Sequence, residues 1–180
     1  MSFARVRALV VIGVLAVAAV VFVITALVRD SQQNAVTSGC PAGSVMADLT
    51  LPQGPGEVTV KVYNGTGQTG LADGVSRDFA NRGFKTQKPA ENKKKFKGVA
   101  QLHYGPAAVG KAQLIKAYFL AQAEPQYDPK RKGAVVDVVI GTQYQQLATT
   151  TEVNQSLVEL GEPELPPGAC AAPAKKAAQN

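Results

Sequence analysis

The 21 residues from Ala8 to Val28 contain no charged side chain and are built almost wholly from Ala, Val, Leu and Ile. Such a run is apolar all round, so it cannot bury one stripe on a water-soluble core and leave the rest in solvent. At a rise of about 1.5 Å per residue, about 20 apolar residues cross a bilayer core of about 30 Å. Arg5 and Arg7 precede the run, and Arg29 with Asp30 follows it. The excess of positive charge on the short side places residues 1–7 in the cytoplasm and everything beyond Arg29 outside. The expectation is a single-pass anchor over residues 8–28 in a lipid bilayer, with an extracytoplasmic body. Two alternatives remain open. A cleavable signal peptide has a shorter apolar core, of about 7–15 residues, and a small-residue cleavage site; Ile24 to Arg29 offers a poor one. A lipid-modified cysteine would need Cys40 next to the apolar run, and a polar stretch separates them.

The compartment gives the two cysteines a meaning. Cys40 and Cys170 flank the rest of the body, and an even count on the oxidising side of a membrane suggests one disulfide. It would close a loop of about 130 residues, for which chain entropy sets an upper figure of about 5 kcal/mol. Two independent thiols are the alternative. A metal pair is disfavoured, because the chain has one histidine and no third cysteine.

After a polar, Gly- and Pro-rich spacer over residues 29–56, periodicity begins. Val58, Val60 and Val62 alternate with Thr59, Lys61 and Tyr63, the pattern of a half-buried strand. Asn64-Gly65 reads as a tight turn. Thr69 is the expected N-cap of a helix from Gly70 to Arg82, with Leu71, Val75 and Phe79 as its apolar stripe. Phe84 to Lys88 reads as a second strand stopped by Pro89, and Val99 to Tyr104 as a third. Ala107 to Ala121 reads as a second helix closed by Pro125, with Ala108, Ala112, Ile115 and Phe119 inward. Ala134 to Ile140 is a near-continuous apolar strand, expected at the centre of the sheet. Thr149 and Glu152 form a capping-box pattern before a third helix, about Thr150 to Leu160. Residues 145–170 are then a helix and tether, and 171–180 a disordered tail. The order β-α-β, β-α-β over residues 57–144 predicts an α+β, ferredoxin-like sandwich with two helices on one face of a four-stranded sheet.

Gly65, Gly67 and Gly70 spell G-x-G-x-x-G between a strand and a helix. A dinucleotide site also needs an acidic residue about 20 positions on and a larger sheet. Glu91 has the distance but falls beyond Pro89 in a lysine-rich loop. The bland reading is a structural turn; the sharper one is an anion held by backbone amides around Asn64, Gly65, Gly67 and Gly70. Lys93, Lys94, Lys95 and Lys97 form one basic cluster, and Lys130, Arg131 and Lys132 a second. Residues 57–144 hold 14 Lys and Arg against 7 Asp and Glu, so this body carries the positive charge of the chain. Outside the cell the polyanions on offer are lipid headgroups and anionic wall polymers, not nucleic acid. A solvated charge run is the alternative. His103 stands alone and reads as structural or surface. No paired carboxylates, nucleophile elbow, metal set or cofactor motif emerges, so the chain reads as no enzyme.

Val58 to Ala72, then Asn81-Arg-Gly-Phe84, Gly105 to Ala108 and Val135 to Gly141 together resemble the LytR C-terminal domain, over residues 57–144. The layout of anchor, domain and flanking cysteines also resembles small actinobacterial envelope proteins. The resemblance implies an envelope location and an accessory role. In larger relatives the domain follows a catalytic domain that joins wall glycopolymers to peptidoglycan, and no counterpart to that domain is found here. The expectation is an extracytoplasmic binding module engaging anionic wall polymer or wall-assembly proteins, with a protein–protein scaffold as the alternative and the oligomeric state open.

Overall fold

Val58, Val60 and Val62 are fully buried, as the alternation required, and they lie at the heart of a five-stranded sheet. The computed structural model describes Cys40 and residues 43–173. Within it run β1 (Val45–Ala47), β2 (Thr59–Asn64), α1 (Leu71–Asn81), β3 (Lys85–Glu91), β4 (Ala100–Tyr104), α2 (Val109–Tyr118), β5 (Ala123–Tyr127), β6 (Val135–Ile140), α3 (Thr150–Leu160) and β7 (Ala169–Ala171). The segment read as an anchor, Ala8–Val28, lies outside the described residues. Among those described, no helix is long and apolar enough to cross a membrane.

The sheet order is β3-β2-β6-β4-β5. β2 is parallel to β3 and to β6, β4 is parallel to β5, and only the β6–β4 pair is antiparallel. This corrects the expectation of a four-stranded ferredoxin-like sandwich. Two parallel β-α-β units lie head to tail, and β6 joins them at the centre. The expected order has no strand at Ala123–Tyr127, because Pro125 in the sequence reads as the end of a helix. Pro125 instead sits within β5, opposite Leu102 of β4. Pro89 likewise does not stop β3; the register slips between Lys61 and Tyr63, so Lys88 and Pro89 together oppose Val62. Both prolines occupy edge strands, where a missing N–H leaves no ladder bond unmade.

One face of the sheet is dry. Val136, Val138 and Ile140 of β6 and Ala100, Leu102 and Tyr104 of β4 continue the β2 valines, and Ala72, Val75 and Phe79 of α1 belong to the same core. Leu71, expected in the stripe, is only partly buried. Phe79, Phe84 and Tyr118 pack edge to face, with centroids 5.0 and 4.9 Å apart. α2 is shorter than expected, because Pro106–Ala108 forms a 3-10 turn ahead of it. It is buried on most sides. Gln113 ties it to α3 by donating to the Gly161 carbonyl at 3.1 Å, and Gly110 on another side donates to the Asp48 carbonyl. The α3 capping box is present: the Thr149 hydroxyl accepts from the Glu152 N–H, and the Thr149 N–H donates to the Glu152 carboxylate at 2.7 Å.

Part of the expected spacer is folded. β1 pairs in parallel with β7, register Met46 to Cys170, and Ala47 is fully buried. Three-residue strands have no period to read, and this pairing joins segments more than 120 residues apart. Both cysteines, Cys40 and Cys170, are disulfide-bonded, and none is free.

Candidate functional site

The turn after β2 is built by Asn64. Its side chain is 2 % exposed. Its amide donates to the Gln68 carbonyl at 2.9 Å and to the Glu91 carboxylate at 3.2 Å, and its oxygen accepts from the Thr66 N–H and hydroxyl. The Thr66 hydroxyl in turn accepts from the Gln68 N–H, and the Gly65 N–H donates to the Ile140 carbonyl. Two backbone amides of the turn, those of Thr66 and Gln68, are therefore spent inside it, and that of Gly65 is spent on β6. Gly65 is not the residue with positive φ; Gly67 (φ 84) and Gly70 (φ 77) are. Gly65 is small for another reason: a Cβ there would lie 2.7 Å from the Ile140 carbonyl oxygen and 2.9 Å from Val139 Cγ1. Gly70, not Thr69, is the N-cap of α1, and no side chain caps it. Asn64 and Gly65 are thus interior parts of the turn, and only Gly67 and Gly70 of the four reach the surface.

The structure brings the lysine loop onto this turn. The Asn92 N–H donates to the Asn64 carbonyl at 2.9 Å and the Phe96 N–H to the Gly65 carbonyl at 2.8 Å. The Phe96 ring fills the space left by Gly98 and Gly141. Lys93, Lys94, Lys95 and Lys97 are exposed around this pin, with Lys95 lying against Gly67. None of the four is in an ion pair with the described residues.

Lys130, Arg131 and Lys132 are elsewhere. They precede the first residue of β6, whereas the lysine loop packs beyond its last, so about 20 Å of strand separates the clusters. Arg131 alone turns back along the sheet and pairs with Asp137 at 2.9 Å. Its turn is set by Asp128, whose carboxylate accepts from the Lys130 N–H and whose carbonyl accepts from the Arg131 N–H. Gly105 makes room for it; a Cβ there would meet the Arg131 carbonyl and lie 2.9 Å from Arg131 Cβ.

Between the two clusters lies the sheet face opposite the dry one. Asp137 of β6 stands across from Lys61 of β2 on one side and His103 of β4 on the other. Lys61 Nζ is 5.0 Å from the Tyr63 ring centroid. A pocket of about 140 Å³ opens here, lined by Tyr63, Asn92, His103, Arg131, Asp137 and Val139. Burial pushes the His103 ring below its usual value; Asp137 opposes that shift and Arg131 adds to it. Sequence reasoning passed over Tyr63, His103 and Asp137 as a site. They are the outward members of the alternation that marked the core, and only strand register sets them side by side.

Residues 57–144 match the family model described as LytR cell envelope-related transcriptional attenuator. These residues are a LytR C-terminal domain. The domain thus spans β2 to β6, while β1, α3 and β7 lie outside the match. The chain is also similar to the crystal structure of the soluble domain of a conserved hypothetical secreted protein from Mycobacterium marinum, at 23% identity over 68% of this chain and 83% of that one, with a TM-score of 0.51. At that identity the likeness concerns the fold. No curated protein matches the chain.

Proposed function

We propose that the chain is a membrane-anchored, extracytoplasmic accessory module of the cell envelope that engages an anionic wall polymer through its lysine loop. The observation that carries this reading is the pinning of Lys93, Lys94, Lys95 and Lys97 on the LytR C-terminal domain's glycine turn. Four exposed ammonium groups without ion-pair partners among the described residues are held on a fixed loop, so a polyanion meets concentrated charge at low ordering cost. The apolar run at residues 8–28 and the disulfide-bonded cysteines support the location. The scaffold reading gains less: among the described residues the exposed large apolar side chains are Met46, Leu51, Leu120 and Val158, and a few exposed apolar residues are ordinary on a folded surface.

The test is retention of the full chain on purified cell walls, comparing wild type with the Lys93→Gln, Lys94→Gln, Lys95→Gln, Lys97→Gln variant across salt. Retention of the wild type should fall as salt rises through the range where the Debye length shrinks from about 30 to about 10 Å. The variant should bind weakly throughout. Equal retention of the two proteins at low salt refutes the polymer reading and favours the scaffold.

A further inference from the structure

The pocket on the open sheet face is chemically unlike the lysine loop beside it. Of the residues that line it, the one permanent cation, Arg131, is already paired with Asp137 at 2.9 Å; the Lys61 ammonium lies outside the lining, 5.0 Å from the Tyr63 ring centroid. The floor is Val139, 4 % exposed, and the walls are Tyr63, Asn92, His103 and the ion pair. We propose that this pocket binds one uncharged pyranose ring of a glycan, with Tyr63 and Val139 against its C–H face and Asp137, Arg131, His103 and Asn92 holding its hydroxyl groups.

The class of ligand follows from what each wall can donate and accept. A carboxylate only accepts, a guanidinium only donates, and an amide or a neutral imidazole does both. A free phosphate is an anion near neutral pH, so it would face Asp137 and be repelled. A cation would face Arg131. A hydroxyl donates and accepts, so a polyol satisfies every group around the rim. Sugars also present C–H bonds, which suit an aromatic ring and an aliphatic floor. Size agrees. About 140 Å³ is well under the roughly 300–1,000 Å³ of sites for drug-sized ligands, and suits a single ring. The site is held firmly on three sides: Tyr63, Asp137 and His103 stand on neighbouring central strands, and the Arg131 turn is locked by Asp128 and by the absence of a side chain at Gly105.

Position adds to the argument. Asn92 opens the lysine loop at one end of the pocket, and Arg131 belongs to the basic turn at the other. A glycan laid across the face would put a ring on Tyr63 and its anionic groups at the two ends. This extended picture rests on the polymer reading above. The ring subsite does not, and neutral sugars test it separately, because they give the lysines nothing to attract.

The experiment is amide and side-chain NMR of the isotope-labelled full chain, in a detergent without a sugar headgroup, titrated with glucose, galactose and N-acetylglucosamine. At least one sugar should give saturable shifts at Tyr63, His103 and Asp137, with the Lys93–Lys97 amides unmoved. Tyr63→Ala should weaken binding by at least about tenfold and Tyr63→Phe should retain it, since the ring face carries the contact. His103→Ala, a change on the open face, should also weaken binding and keeps the test valid if Tyr63→Ala fails to fold. The lysine-loop variant should bind the neutral sugar as wild type does. Absence of saturable shifts with all three sugars, shifts elsewhere on the surface, or undiminished binding by a folded Tyr63→Ala or by His103→Ala would each overturn the proposal. In the lysine-loop variant, loss of wall retention with sugar binding intact supports both readings; a wild type that is retained on walls and binds none of the three sugars refutes only the pocket.

Discussion

Gly65 in the turn and Gly74 in the helix that follows it should respond to alanine with opposite sign. At Gly65 a Cβ would sit 2.7 Å from the Ile140 carbonyl oxygen, 2.9 Å from Val139 Cγ1 and 3.3 Å from Phe96 Cβ. That carbonyl is also the acceptor of the Gly65 N–H at 2.8 Å, so the strands cannot part without straining the bond. Forcing one methyl into a packed site costs about 1–3 kcal/mol. Weakening the hydrogen bond adds about 1 kcal/mol. The stiffer unfolded chain offsets about 0.4–1 kcal/mol. The net loss is about 1–3.6 kcal/mol, a large share of a typical stability of about 5–15 kcal/mol. At about 4 °C per kcal/mol, Gly65→Ala should melt about 4–14 °C below wild type. Gly74, inside α1, has nothing within 4 Å of a built Cβ. Gly74→Ala should gain about 0.5–1 kcal/mol of helix propensity and melt about 2–4 °C higher. Far-UV circular dichroism of the oxidised full chain, with urea midpoints as a cross-check, reads both. If Gly65→Ala melts at or above wild type, or both variants shift the same way, the account of the turn as a close-packed joint is refuted.

Two further outcomes follow from the α3 cap and the dry core. Thr149→Ala removes the capping box and should cost about 1 kcal/mol. Hydrogen bonds from the Thr149 N–H and hydroxyl hold the Glu152 carboxyl below its usual value. The Glu152 half of the cap therefore contributes fully above the unfolded value and is lost as pH falls through the lower folded one, while the Thr149 hydroxyl keeps its bond from the Glu152 N–H. NMR titration of the Thr149 amide checks this, and a midpoint at the ordinary glutamate value counts against it. Burial pushes the Tyr144 phenol up to about 12, with Asp78 adding to the shift. An acid raised in the folded state gives stability that is present below the unfolded value and lost as pH climbs from about 10 towards 12. Phenolate absorbance should show a late phase that Tyr144→Phe removes; loss of an early phase instead would contradict the burial.

The sequence by itself determined the inward faces. Alternation at Val58, Val60 and Val62, the stripe at Val75 and Phe79, and the Thr149–Glu152 box are local patterns, and each recurs in the structure because a strand or helix turns its apolar side to whatever core exists. The domain's residues were legible for the same reason, since the motifs that mark it are contiguous. Tertiary structure decided the rest. Pro89 reads as the stop of a strand and Pro125 as the stop of a helix, because proline lacks the N–H that an interior ladder or helical turn needs; that both lie within edge strands could not be seen before the strand order was known. β1 and β7 exist only through each other. The glycine turn and the lysine loop were separate features until two backbone hydrogen bonds joined them. Lys61, His103 and Asp137 looked unrelated, being 34 to 76 positions apart, until parallel and antiparallel register set them in one row. Local periodicity tells which way a side chain points. Which neighbours it meets there is fixed by long-range pairing, and that is where the candidate site arises.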